Sequence, residues 1–246
     1  MCTATIVISP NSRWPVTLAC VRDEVRSRGW KPPHRWWETD FPDTVGGLDL
    51  QGGGTWLAVH LPTRRTSIIL NREEKIQAPR RIWSRGELPL IAAALGPAGV
   101  YALDLSRYLP FNLLLLDANC VKWWRWNGRS FEQRAYNLGF HHISSGDLDN
   151  PRDQRYSALR RLHIDLTGCR HWADTSGPDD YAHRPWQEFI ANMAVTSFTN
   201  PTYGTTSASL VAIGSRVVFD FCPWPLRSTD WTRVNLSNGQ AESRRV

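Results

Sequence analysis

The fold is constrained most by a succession of short β-forming runs separated by turn signals. The first two, "TATIVIS" (3–9) and "VTLACVRD" (16–23), flank "PNSRWP", a turn signal. They read as an antiparallel hairpin. With its turn centred near Ser12, facing residues sum to about 24, which sets Cys2 opposite Arg22 and next to Asp23.

Further strands are expected in "TWLAVHLP" (55–62), "RTSIILN" (65–71), "FNLLLLDA" (111–118), "CVKWWRWNG" (120–128) and "RSFEQRAY" (129–136). "HHISS" (141–145), "SASLVAIG" (207–214) and "RVVFDFCP" (216–223) follow the same pattern. Helical spacing is best in 86–95, 152–166 and 185–195. Many antiparallel strands with helices between groups of them predict an α+β protein with layered packing. Residues 171–186 read as a long loop.

A chain of 246 residues that is 41% hydrophobic can bury one substantial core, and no Pro/Gly/Ser-rich linker divides it. Residues 1–225 are expected to form a single domain, with a polar tail over 226–246. No basic segment followed by an apolar one opens the sequence, and its longest apolar runs are broken by Pro, Gly or Asp. These features predict a soluble, cytoplasmic protein without a transmembrane segment. Cys2, Cys20, Cys120, Cys169 and Cys222 are an odd count with no zinc spacing, as expected of reduced thiols, and no metal site is predicted. The net charge of +6 comes from Arg residues spread through the chain in twos and threes, which argues against a nucleic-acid partner. The sequence leaves the oligomeric state open.

The chemistry centres on Cys2. If Met1 is removed, Cys2 carries both a thiol and a free α-amine, whose ordinary pKa of about 7.7 to 8.0 suits it to take the thiol proton. A facing Arg22 lowers the thiol pKa, and Asp23 would hold Arg22 or the ammonium in place. Asn71, at the end of "TSIIL", either supplies an amide donor or caps the turn before "REE". Asn112 lies inside an apolar strand, where its amide must find a partner. "GGGTW" (52–56) lacks phosphate-loop spacing and reads as a tight turn that brings Trp56 to the core or a pocket wall.

Several stretches carry a resemblance in order and spacing: "MCT", "LACVRDE" (18–24), "GGLDLQGGGTWLAV" (46–59), "ILNREE" (69–74), "SRGEL" (84–88), "PFNLLLLD" (110–117), "SSGDLDNP" (144–151) and "YGTTSASLV" (203–211). Over roughly residues 1–220 the chain resembles the NRDE family, that of the transport and Golgi organisation protein 2. The resemblance implies a four-layer αββα sandwich of N-terminal nucleophile (Ntn) hydrolase type. It also implies either cleavage of an amide or thioester bond of an acyl substrate, or a non-catalytic role in carrying haem or an acyl lipid. The partner expected is thus a small acyl, amide or haem ligand. No cofactor is required, although haem could bind reversibly. By the same resemblance Cys2 is the nucleophile, Arg22 and Asp23 position it, Asn71 donates to the oxyanion, and Trp56, Asn112, Ser145 and Thr206 are substrate-binding candidates. Val21 and Ser145 stand where the family usually has Asn, and Thr206 stands where it has Arg. A haem ligand would come from Cys or from the seven histidines, of which His141 and His142 flank the altered "ISS" element.

Overall fold

The computed structural model describes residues 2–74, 76, 82–153, 156–166, 171–178, 181–194 and 202–237, without the side chains of 163–166 and 181. Met1 and Cys169 lie outside the described residues. The first strands are β1 (Cys2–Ile8), β2 (Val16–Val25), β3 (Trp30–His34), β4 (Thr44–Asp49), β5 (Leu57–His60) and β6 (Arg65–Asn71). After helices α1 (Leu88–Leu95) and α2 (Pro97–Tyr101) come β7 (Phe111–Leu116), β8 (Val121–Trp126), β9 (Phe131–Tyr136) and β10 (Gly139–Ile143). Helices α3 (Tyr156–Leu166) and α4 (Arg184–Met193) precede β11 (Tyr203–Ile213), β12 (Val217–Pro223) and β13 (Thr232–Arg233).

The strands form two antiparallel sheets, one ordered β10-β1-β2-β11-β12-β13 and the other β3 to β9 in sequence order. The first hairpin has the expected register. Cys2 faces Arg22, Ala4 faces Cys20 and Ile8 faces Val16, so each pair sums to the same value. Period-two alternation then sorts the side chains. Ala4, Ile6, Ile8, Val16, Leu18 and Cys20 point inward and join Leu57, Ile68, Leu70 and Leu113 of the second sheet in one core. The intervening Ala19 and Val21 point outward and pack with Trp186, Phe189 and Ile190 of α4. Helices α1 and α2 cover the other sheet, where α1 meets β5, β6 and β7. The result is an α+β sandwich with helices on both outer faces.

Several elements depart from the sequence reading. β3 carries Pro32 and Pro33, which argue against a strand, but it is an edge strand with an irregular register and can spare the N–H groups. β4 contains Gly46 and Gly47, weak strand formers that are used here for close packing. The described residues of the 171–186 stretch are more ordered than a loop: Trp172 and Trp186 are buried, and α4 begins at Arg184. The polar end is docked at least as far as its short strand. Trp231 is buried, and Arg233 pairs with Asp220, whose buried carboxylate needs a cation.

Candidate active site

The inward-facing rows of β1 and β2 change character at one end of the sandwich. Below Ala4 and Cys20 the apolar row stops, and the next inward positions are Cys2 on β1 and Arg22 and Glu24 on β2. The other sheet ends nearby with Asp49 closing β4 and Asn71 closing β6. A cleft of about 250 Å³ opens where these strand ends meet, and Cys2, Arg22, Asp23, Trp56 and Asn71 all line it.

Arg22 is almost fully buried and is gripped from both sheets. Its Nη2 donates to Asp49 Oδ2 at 2.9 Å and its Nη1 to Thr206 Oγ1 at 3.0 Å. Its guanidinium lies 4.7 Å from the centre of the Trp56 ring, a cation–π contact worth about 2 kcal/mol when desolvated. Asp49 also takes a two-pronged hold on Arg28, at 2.6 and 2.9 Å, and accepts from Gly52 N at 2.7 Å. Burial pushes the Asp49 carboxyl up, but the Arg28 hydrogen bonds, the Gly52 N–H and the charges of Arg28 and Arg22 together hold it below the ordinary carboxylate value.

The glycines of "GGLDLQGGGTW" make this packing possible. A Cβ on Gly47 would fall 2.1 Å from the Trp56 ring, so only glycine lets the indole lie against β4 and under Arg22. A Cβ on Gly54 would fall 2.2 Å from the Gly86 backbone. That close approach lets Thr55 N donate to Gly86 O at 2.8 Å, and it fastens the segment carrying Trp83, Ser84 and Arg85 to the cleft.

Cys2 is partly exposed. Burial raises its thiol pKa, the N-terminal charge and Arg22 oppose the rise, and Asp23 and Glu24 add to it. Asn71 lines the cleft, and among the described residues its side-chain amide has no hydrogen-bond partner. Across Ile82, Trp83 and Ser84 lies a second groove of about 570 Å³ whose apolar wall includes Trp37, Phe41 and Leu90.

A motif order that folds into one constellation is what a family model captures, and the model described as Transport and Golgi organisation 2 matches residues 1–222. The chain belongs to the Transport and Golgi organisation 2 family. No curated protein matches it.

The positions at which this member of the Transport and Golgi organisation 2 family departs from the expected pattern have distinct surroundings. Val21 faces outward into the apolar layer under α4. Thr206 sits at a bulge in β11, where its hydroxyl accepts from Arg22 Nη1 and donates to Arg22 O at 3.1 Å. It therefore buttresses Arg22 and does not line the cleft. Ser145 donates to Glu73 at 2.8 Å beside a separate depression of about 450 Å³. Asn112 is fully buried away from the cleft. Its Oδ1 accepts from Arg72 at 2.8 Å and Trp123 Nε1 at 3.1 Å, and its Nδ2 donates to Gly146 O at 2.7 Å. The Asp23 carboxylate accepts from Thr205 at 2.6 Å, while the carboxylate that grips Arg22 belongs to Asp49.

Asp49, Glu24, Arg28 and Arg85 are cleft residues that the sequence reading did not single out. All four lie inside or just beyond the quoted family stretches, which was the available signal. The histidines lie elsewhere: His141 bonds Asp149, His142 bonds Thr5, His60 bonds Thr63, His171 bonds Thr17 and His183 bonds Asp220. Burial also holds the His171 ring neutral, with its pKa lowered to about 4. The His163 side chain lies outside the described residues.

Proposed function

We propose that this protein, once Met1 is removed, is a cysteine N-terminal nucleophile hydrolase acting on an amide or thioester bond of a small acyl substrate. One observation carries the reading: Cys2 opens β1 directly opposite Arg22, at the end of the sandwich where a cleft reaches it. The Cys2 Sγ attacks the carbonyl carbon while its proton passes to the Cys2 α-amine. The C–N or C–S bond breaks, the ammonium returns the proton to the leaving amine or thiolate, and a thioester to Cys2 remains. Water then attacks the thioester, releasing a carboxylic acid and restoring the thiol.

In this route the α-amine takes the thiol proton during attack and no standing thiolate is needed. The uncommitted amide of Asn71 supports its role as oxyanion donor; removal of such a donor typically slows turnover by about two to three orders of magnitude. Trp56 would bound the acyl group, and the neighbouring groove past Trp83 has room for a longer chain.

A carrier that binds an acyl lipid without cleaving it is the second reading, favoured by the hold of Asp49 and Thr206 on Arg22. For haem the cleft offers Cys2 and, among the described residues, no histidine, and its volume is below the usual range of about 300–1,000 Å³ for ligand pockets. No helix among the described residues is long and apolar enough to cross a membrane.

Mixing the protein with activated acyl esters tests the reading. The hydrolase predicts a burst of alcohol equal to the enzyme, then slower turnover, with both abolished in Cys2→Ala. Ester binding with neither acylation of Cys2 nor turnover would instead identify a carrier.

A further inference from the structure

We propose that Arg85 receives an anionic group of the substrate, a carboxylate or a phosphate, carried close to the bond that Cys2 attacks. The inference deepens the hydrolase reading and takes its site from it. Three guanidinium groups line the cleft. Arg22 and Arg28 are committed to Asp49, and Arg28 also lies 3.9 Å from Glu24. Arg85 is different: its Nη1 donates to Pro110 O at 2.7 Å, and among the described residues no carboxylate stands within ion-pair reach of it. Glu24 is close enough to favour its charge, but one Glu24 oxygen accepts from Val25 N and the other faces Arg28. Asp23, another acid of the wall, accepts from Thr205.

A partly buried guanidinium without a directly paired carboxylate is costly unless something else supplies one, and burial does work against the Arg85 charge. Its free donors form a planar fork suited to two oxygens of a carboxylate or phosphate. Its position is also fixed. Ser84 Oγ accepts from Gly86 N at 3.2 Å, and Gly86 O accepts from Thr55 N, so the backbone on both sides of Arg85 is tied down. Arg85 thus meets a ligand without having to be ordered first.

The test compares p-nitrophenyl esters of butyric and glutaric acid, which differ by a terminal carboxylate, in acylation of Cys2. Wild-type protein is expected to prefer the glutarate ester. Arg85→Gln should lower the ratio of glutarate to butyrate rates about tenfold or more, the scale of a charge-assisted hydrogen bond, and Arg85→Lys should restore part of it. An unchanged ratio in Arg85→Gln overturns the proposal while leaving the hydrolase reading intact. If neither ester acylates Cys2, the hydrolase reading fails, and calorimetry with glutarate and with inorganic phosphate decides the question for Arg85. Binding that is lost in Arg85→Gln and kept in Arg85→Lys supports the anion site, and the anion that binds names its chemistry. Equal affinity in wild type and Arg85→Gln, or binding of neither anion, contradicts it.

Discussion

Arg22 is held by partners that no local sequence pattern announces. The hairpin pairs it with Cys2, but its carboxylate comes from the other sheet, through Asp49. Removal of one partner from a buried ion pair leaves the other charge uncompensated, which typically costs about 3–5 kcal/mol. Asp49→Ala should therefore destabilise the fold by about that amount in urea unfolding and slow acylation of Cys2. The pH dependence follows from the direction of the Asp49 shift. Because its folded value lies below the ordinary one of about 3.9, its stabilisation is complete above that pH and is lost as the pH falls through the lower folded value. Wild-type stability should thus decline more steeply in acid than that of Asp49→Ala; equal slopes would show that Asp49 is not the group being titrated.

The segment from Gly46 to Trp56 acts as a unit that shapes the cleft wall. Gly54 touches the Gly86 backbone, and backbone cannot move aside as a flexible side chain can. Gly54→Ala should cost about 1–3 kcal/mol by overpacking and should displace the Arg85 segment, read as lower thermal stability with weaker ester turnover. Turnover at the wild-type level would show that this contact does not position the site. At the opposite side of the six-stranded sheet, β13 is fastened by a buried cluster. His183 Nε2 lies 3.0 Å from Asp220 Oδ2, and Arg233 grips the same carboxylate. Asp220→Ala should destabilise by about 3–5 kcal/mol and expose the segment around Trp231 to limited proteolysis. Unchanged cleavage would contradict the role given to Asp220.

The two sheets explain what could and could not be read from the chain. The hairpin register, the inward apolar rows and the helices on 88–95 and 184–193 are legible because they follow local periodicity. β3 and β4 are not, since their prolines and glycines contradict strand propensity and make sense only at a sheet edge or against Trp56. Cys2, Arg22, Asp23, Trp56 and Asn71 converge on one cleft because each stands at or near the end of a β run, where the core gives way to solvent. Asp49 could not be picked out, because its partner is 27 residues away and on the other sheet. Asn112 is legible as a polar group in an apolar strand that must find a partner, and the structure places it in a buried hydrogen-bond cluster with Arg72 and Trp123.

The central claim is that Cys2 becomes an N-terminal nucleophile. Its most direct test is the intact mass of the purified protein before and after exposure to an activated acyl ester, with the adduct mapped to a peptide. The account predicts a starting mass lacking Met1, a single acyl addition on Cys2 that decays as product forms, and no addition in Cys2→Ala. A retained Met1, or an adduct that persists in Cys2→Ala, would contradict it.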